Sequence, residues 1–182
     1  MRRRIVPAAV TAALALSALT ACTQSAEFRS DCANPLAPGA LSNGVQVGED
    51  GSVEVTSSVD IVNAQRTVIP GEESGARTIP GGVAIVDLRV VDAVTGSLLQ
   101  EQESMPYVVI PEDYIEEAET ALASDSHETI PTQYLLAVSL LCAAAGDTIV
   151  VGATSQQSIT SGIGYNPTVF VLDVREPEEF QG

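Results

Sequence analysis

The chain has 182 residues, with eight Arg, no Lys and 24 acidic residues, which gives a formal net charge of −16. Such an acidic surface repels phosphate groups, so we expect neither nucleic acid nor anionic lipid headgroups as binding partners. The length is sufficient for one domain with a hydrophobic core.

The N-terminus has the organisation of an export signal. Three arginines precede an apolar run from Ile5 to Leu19, and Leu19-Thr20-Ala21-Cys22 resembles a bacterial lipobox. We therefore predict a signal peptide over 1–21, cleavage before Cys22 and lipid attachment to the Cys22 sulfur. A plain secretory signal with an incidental cysteine is the alternative. Two or more acyl chains anchor a protein stably, so the bilayer is a predicted partner and the outer face of the cell membrane the predicted location.

Residues 22–44 are polar and rich in Pro and Gly, which predicts a flexible, lipidated tether. Val45–Val47 and Val53–Val55 alternate around a Gly-rich turn and predict a hairpin, and a short β segment is expected from Arg66 to Ile69. The mature part keeps five Arg against 24 acidic residues, a formal charge of −19. A net charge of this size keeps a protein soluble, and it does not identify a ligand.

The clearest strand is predicted from Val83 to Val91, where apolar side chains alternate. A turn follows, in which Gly96 occupies a position that allows positive φ, and Ser97 to Glu101 is expected to pair back. A further strand is predicted from Pro106 to Ile110. The predicted core face of the first strand consists of Ala84, Val86, Leu88 and Val90.

Two helices are predicted next. The first runs from Glu112 to Ala123, and its acidic residues indicate a solvated face, because adjacent acids give no reason for the split pKa values of a catalytic pair. The second, nearly all apolar, is expected to begin near Pro131, with Thr129 as a cap, and to end at Gly146. The predicted inner side of the first helix consists of Tyr114, Ile115, Ala118, Ala121 and Leu122.

The remaining chain is predicted to hold a strand from Thr148 to Val151, a loop from Gly152 to Asn166 and a closing strand from Thr168 to Arg175, followed by an acidic tail over 177–182. An exported protein offers an oxidising setting, so we predict a disulfide between Cys32 and Cys142; two free buried thiols are the alternative. On the chain-entropy model this link contributes roughly 4–5 kcal/mol.

The sequence lacks the patterns of nucleophilic, metal and nucleotide chemistry. His127 is the sole histidine and lies in a polar link, where an exposed loop position is the simpler interpretation. No His or second Cys stands near Cys32 or Cys142 at the spacing of metal ligands, and no glycine-rich loop carries the lysine of a phosphate-binding motif. We therefore predict no metal and no cofactor, and favour a function that needs only an apolar pocket.

Several motifs together resemble the FKBP-type peptidyl-prolyl isomerase family. They are Asp92–Gly96 (DAVTG), Pro106-Tyr107, Gly146–Val151 (GDTIVV) and Asn166–Val174 (NPTVFVLDV). The segment from Pro35 to Ile69 also resembles the one that precedes the first, degenerate FKBP-like domain of actinobacterial tandem-domain lipoproteins. The resemblance implies an α+β domain over 45–176, in which a curved antiparallel sheet wraps around a central helix, with an additional short helix.

The resemblance also implies an apolar prolyl pocket. Phe170 stands where the family has the Phe of its closing strand, and Tyr107 where it has the aromatic of its Pro-Phe strand. The loop tyrosine falls near Ile159, and Tyr134 or Leu136 would replace the family's tryptophan, because this chain has no Trp. Leu88 takes the place of another aromatic, Leu99-Gln100 that of a Phe-Asp pair, and a helix or loop over 112–126 would cover the pocket mouth. Core packing is the alternative role for each, and the favoured one for Leu88 and Leu136.

Two functions follow. The chain is expected to be a membrane-anchored prolyl isomerase that acts on proline-containing exported polypeptides, with activity weakened by the eroded pocket. The alternative is a catalytically inert FKBP-like binding or spacer module. A third, weaker possibility is an unrelated lipid-anchored solute-binding domain.

Overall fold

The structure is a computed structural model that describes residues 36–38, 45–47, 53–55, 61–71, 75–123 and 130–176. These residues form an α+β fold built on a mainly antiparallel sheet. The strands are β1 (Ala37–Pro38), β2 (Val45–Val47), β3 (Val53–Val55), β4 (Gln65–Ile69), β5 (Val83–Asp92), β6 (Leu98–Val108), β7 (Thr148–Ala153) and β8 (Thr168–Arg175). The helices are α1 (Ile115–Ala123), which follows a 3₁₀ turn over Glu112–Tyr114, α2 (Thr132–Ser139) and α3 (Ser155–Thr160).

The main sheet has the strand order β1-β4-β7-β8-β5-β6. All of its neighbours are antiparallel except β1, which pairs in parallel with β4. The strands β2 and β3 form a separate antiparallel pair, which confirms the predicted hairpin. The closing strand β8 lies between β5 and β7, so it is hydrogen-bonded along both sides.

Alternation along β5 determines which face of the sheet meets the helices. Ala84, Val86, Leu88 and Val90 are all at most 4% exposed, and they share one hydrophobic cluster with residues of α2, among them Leu135 and Val138, which confirms the predicted core face. The opposite face is also partly buried, because Val91, Val150, Val169 and Val171 form a second cluster with Ile61. The central strands are therefore covered on both sides, which explains their nearly continuous apolar sequences.

The two strands predicted at Ser97 to Glu101 and Pro106 to Ile110 are one long strand, β6, which lies at the edge of the sheet. Its pairing with β5 shifts between Val86 and Leu88, and Ser104 has a φ of 53°. The backbone N–H of Ser104 donates to the Asp87 carboxylate at 2.9 Å. A bulge of this kind bends a strand without ending it, so the polar residues in the middle of β6 do not mark a turn.

Helix α2 ends at Ser139, so the prediction of a helix that continues to Gly146 is wrong. Cys142 has a φ of 61°, and beyond it the backbone pairs with residues 75–78: Thr78 N–H donates to the Ala143 carbonyl, and Ala145 N–H to the Ala76 carbonyl. Arg66 further donates to the Leu141 carbonyl at 3.2 Å. A turn over residues 140–142 and the isolated bridge between Ala144 and Arg77 therefore replace the last turns of the predicted helix.

The stretch predicted as a loop from Gly152 to Asn166 contains the short helix α3. Thr154 caps it: the Thr154 hydroxyl accepts from the Gln157 N–H, and the Gln157 side chain accepts from the Thr154 N–H at 2.9 Å. This reciprocal arrangement is a capping box with Gln at the third helical position. The prediction of a loop is wrong here, because the capping box stabilises a helix in spite of the Ser- and Gln-rich composition.

Burial bears on two further predictions. Within the segment predicted as a tether, Leu36 is 4% exposed and packs in the main hydrophobic cluster, and Ala37–Pro38 pair with β4. The helix predicted from Glu112 to Ala123 is confirmed, but Tyr114 is 52% exposed and does not belong to its inner side.

Among the described residues, no helix combines the length and apolarity needed to cross a membrane.

Candidate functional site

Phe170 lies in the middle of β8, where its register partners are Val90 of β5 and Val151 of β7. It is 2% exposed and belongs to the main hydrophobic cluster. Two strand neighbours, each on a different side, hold the ring at the centre of the sheet's inner face. Phe170 can therefore support an apolar surface from below but presents almost none of its own surface to a ligand.

Tyr107 is carried to the same face by β6. Its register partner is Ala84, whose side chain is on the core face of β5, and the Tyr107 ring packs against the main cluster while remaining partly exposed. Burial raises the pKa of the Tyr107 hydroxyl above its ordinary value. The side chain thus combines a buried ring with an accessible portion, which is the property that a binding surface requires.

Tyr134 lies on α2, and like Tyr107 it is partly buried and packs against the main cluster. The segment after β6 is hydrogen-bonded to α2: the N–H of Ile110, three residues after Tyr107, donates to the carbonyl of Ala137, three residues after Tyr134, at 3.2 Å. Burial, and secondarily the charge of Glu117, raise the pKa of Tyr134. Both tyrosines therefore belong to segments that are joined by a backbone hydrogen bond and that pack on the same cluster.

The remaining predicted positions divide into core and surface. Leu88 and Leu136 are 3% and 4% exposed, which agrees with the core packing favoured for them. Ile159 is 44% exposed on α3, and it is not among the side chains that pack against the main cluster. Leu99 and Gln100 are likewise exposed on β6. The structure thus brings Tyr107, Tyr134 and Phe170 to one cluster and leaves Ile159 outside it.

Five partly buried side chains, not named as site residues by the sequence, border the same cluster: Met105, Ile115, Ala121, Leu122 and Ile163. Ile163, and not Ile159, packs against the main cluster. The Ile163 N–H donates to the Ser158 carbonyl, and the preceding Gly162 has a φ of 71°. This turn closes α3 and directs the chain back to the core. The Ser-Gly-Ile-Gly sequence, with Gly just past a helix end, was the signal that could have identified it.

Hydrogen bonds between side chains fix α3 against the start of α2. The Ser161 hydroxyl accepts from the N–H of Thr132 at 2.8 Å and donates to the Thr132 hydroxyl at 2.7 Å. The Ser158 hydroxyl is 2.8 Å from that of Thr168 at the start of β8. Because Thr132, Ser158 and Thr168 are at most 2% exposed, these bonds satisfy polar groups that burial would otherwise leave unpaired. The turn that carries Ile163 is therefore held in place from two sides.

Cys142 is disulfide-bonded. Both other cysteines of the chain, Cys22 and Cys32, lie outside the described residues, so the pairing with Cys32 and the lipidation of Cys22 stay predictions. The signal peptide, His127 and the acidic tail over 177–182 also lie outside them. Within the described ranges, no group of three or more His, Cys, Asp or Glu side chains is arranged to hold a metal ion.

No protein-family model matches the sequence, and no curated protein matches it either.

Proposed function

We propose that this chain is an exported FKBP-like module that binds proline-containing polypeptide segments and isomerises the X–Pro bond weakly. The observation that carries the proposal is that two partly buried tyrosines, Tyr107 and Tyr134, pack against the same apolar cluster that contains the buried Phe170. A sheet with one apolar helix against its inner face supports the FKBP-like assignment. Three of the motifs that carry the resemblance fall where elements of the sheet meet: the β5–β6 turn, the entry to β7 and the entry to β8.

Catalysis of this kind needs no nucleophile. Rotation about an X–Pro bond passes through a twisted amide that has lost its resonance, and the barrier is about 18–20 kcal/mol in water. An apolar surface that excludes water favours the twisted, less polar amide over the planar one. In this chain the rings of Tyr107 and Tyr134 would hold the proline ring, while Met105, Ile115 and Ile163 limit the access of water around it.

The activity is proposed to be weak because the floor of the site is incomplete. The chain has no Trp, Phe170 is 2% exposed, and the side chains at Ile159 and Leu99 are directed to solvent. Fewer aromatic groups around the proline mean less differential stabilisation of the twisted amide. The same burial of Phe170 favours the second candidate function, an inert module that binds proline-containing segments without accelerating their isomerisation.

The location is part of the same proposal. Lipid attachment to Cys22 would hold the domain at the outer face of the cell membrane, where exported polypeptides emerge unfolded and X–Pro isomerisation limits their folding. Such polypeptides are the proposed partners, together with the bilayer through the acylated cysteine.

Exchange NMR on a peptide with one X–Pro bond tests the proposal. With the lipid-free chain at millimolar concentration, we expect cis–trans exchange faster than in buffer and shift changes in the peptide. Tyr107→Ala and Tyr134→Ala should each reduce both effects, whereas Tyr165→Ala, at a side chain that is 86% exposed, serves as the matched control. Binding without faster exchange would select the inert module, and neither binding nor exchange would overturn the proposal.

A further inference from the structure

The first turn of α2 carries Tyr134, and this turn has no cap from its own sequence. Pro131 occupies the N-cap position and makes no side-chain hydrogen bond. Its carbonyl accepts from the N–H groups of Tyr134 and Leu135, at 2.9 and 3.4 Å. The N–H of Thr132 also belongs to the first turn, where a helix offers its own N–H groups no carbonyl. Because Thr132 is 2% exposed, its N–H needs a partner from outside the helix.

Ser161 supplies that partner from α3. Its hydroxyl accepts from the Thr132 N–H at 2.8 Å and donates to the Thr132 hydroxyl at 2.7 Å. Both distances are those of well-formed hydrogen bonds. The Thr132 hydroxyl in turn donates to the Gln157 carbonyl of α3 at 3.3 Å. A residue 29 positions further along the chain thus caps α2, a role that a Ser or Thr directly before the helix usually has.

Ser161 also stands at the end of α3, two positions before Ile163. The Ser161 N–H donates to the Gln157 carbonyl at 3.0 Å, and the Ile163 N–H donates to the Ser158 carbonyl at 2.9 Å. Ile163 then packs against the main cluster, as Tyr134 does. One hydroxyl therefore joins the start of the helix that carries Tyr134 to the end of the helix that leads to Ile163.

We propose that Ser161 is a positioning residue of the proline site, which holds Tyr134 and Ile163 in a fixed relation to each other. This rests on the proposed function and adds the residue that keeps the site preformed. Side chains that must be ordered on binding reduce affinity, so a preformed arrangement binds more tightly. Without the Ser161 hydroxyl, the Thr132 N–H would be buried without a partner, and the first turn of α2 would gain freedom relative to α3.

NMR titration of the lipid-free chain with a peptide that has one X–Pro bond tests this role. Ser161→Ala should weaken binding roughly 3- to 10-fold, the scale of one or two lost hydrogen bonds. Ser161→Thr keeps a hydroxyl and should bind within about 2-fold of the unchanged chain. The matched control is Ser139→Ala. Ser139 is a buried serine at the other end of α2, and its hydroxyl donates to the Leu136 carbonyl of the same helix at 2.8 Å.

A double-mutant cycle separates positioning from a general loss of stability. Tyr134→Ala and Ile163→Ala should be non-additive in their effects on peptide affinity, because Ser161 couples the two side chains. Their effects should become additive when Ser161→Ala is also present. Additive effects in both backgrounds would overturn the coupling.

The remaining outcomes distinguish this role from the proposed function. Equal affinity of Ser161→Ala and the unchanged chain, or no restoration by Ser161→Thr, would overturn the positioning role while the proline-binding function stands. An equal loss in Ser161→Ala and Ser139→Ala would also overturn it, because the effect would then belong to α2 as a whole. Absence of binding by every form would overturn the proposed function and the positioning role with it.

Discussion

Asn166 and Asp92, 74 residues apart, are joined by a hydrogen bond from the Asn166 side-chain amide to the Asp92 carboxylate at 2.8 Å. The second carboxylate oxygen of Asp92 accepts from the N–H groups of Val94 and Thr95, also at 2.8 Å each. One carboxylate thus fixes the turn between β5 and β6 and ties it to the segment that enters β8. The two sequence motifs at Asp92–Gly96 and Asn166–Val174 are therefore one structural unit.

Replacing Asp92 with Ala should remove all three of these bonds. Hydrogen bonds to a charged group contribute about 1.5–3 kcal/mol each where both partners are buried, and less in an exposed turn, so we expect a loss of roughly 2 kcal/mol in the free energy of unfolding. Chemical denaturation measures it. Asn166→Ala should cost less, since only one bond is lost, and Glu119→Ala on the exposed side of α1 is the control. A loss of less than about 0.5 kcal/mol for Asp92→Ala would contradict this role.

The acidic limb of the stability profile should depend on Asp87. The hydrogen bond from Arg175, opposed by burial and aided by the Ser104 N–H, lowers the pKa of Asp87 below its ordinary value. A carboxylate with a lowered folded-state pKa stabilises the fold above its unfolded pKa of about 4 and loses that contribution as the pH falls. We expect the free energy of unfolding to decrease below about pH 4, and Asp87→Asn to flatten this decrease. Glu54→Gln, at an exposed position of the separate β2–β3 sheet, is the control, and an unaltered slope in Asp87→Asn would refute the assignment.

Much of the sheet could be predicted from sequence because its strands have strong local signals. Strand β8 has the predicted bounds, Thr168–Arg175, and Ala84, Val86, Leu88 and Val90 form the predicted face of β5. The end of α2 could not be predicted in this way. The residues from Leu140 to Ala145 are all apolar, and periodicity cannot distinguish a buried helix from a buried non-helical segment in such a run. The conformation here depends on hydrogen bonds to residues 75–78, which are distant in sequence.

The candidate site was predictable only in part for a related reason. The family resemblance names Phe170 as a pocket residue, but the degree of its burial depends on Val90 and Val151 in two other strands. Ile159 and Ile163 are both apolar residues in a polar stretch, and only the turn at Gly162 decides which of them reaches the core. Sequence patterns determine the face of an element more reliably than the exposure of a single side chain.

Because Phe170 is buried, its replacement should lower the stability of the fold more directly than it changes any activity. Phe170→Ala should lower the free energy of unfolding by about 3–5 kcal/mol, as expected for a large side chain removed from a core. Ile159→Ala, at a position 44% exposed, should change it by less than about 1 kcal/mol. Thermal and urea unfolding measure both. For this reason loss of isomerase activity in Phe170→Ala is informative only if the variant is folded, and Phe170→Leu is the better probe. A small effect of Phe170→Ala would show that the ring lines an open pocket.

The disulfide of Cys142 makes lipidation and pairing mutually dependent. The chain has three cysteines, and a Cys22 that carries lipid on its sulfur is not available for a disulfide. We therefore expect non-reducing peptide mapping of the mature protein to find Cys32 joined to Cys142 and acyl chains on Cys22. Cys142→Ser should leave Cys32 as a free thiol that reacts with maleimide. A link between Cys22 and Cys142 would contradict both predictions at once.

Two glycines in close contact offer the sharpest test of the packing beside β7. A Cβ added at Gly71 would lie 2.4 Å from the carbonyl oxygen of Gly146, a backbone atom whose residue is already held at a φ of 91°. Neither segment can move without losing a hydrogen bond, because the Gly71 N–H also donates to the buried Asp147 carboxylate at 3.3 Å and the Gly146 N–H to the Val174 carbonyl at 2.8 Å. We expect Gly71→Ala to cost about 1–3 kcal/mol in the free energy of unfolding, as overpacking does. Gly164→Ala is the control, since a Cβ there meets no atom within 4 Å. Equal unfolding midpoints for the two variants would show that the backbone around Gly71 can move apart from Gly146.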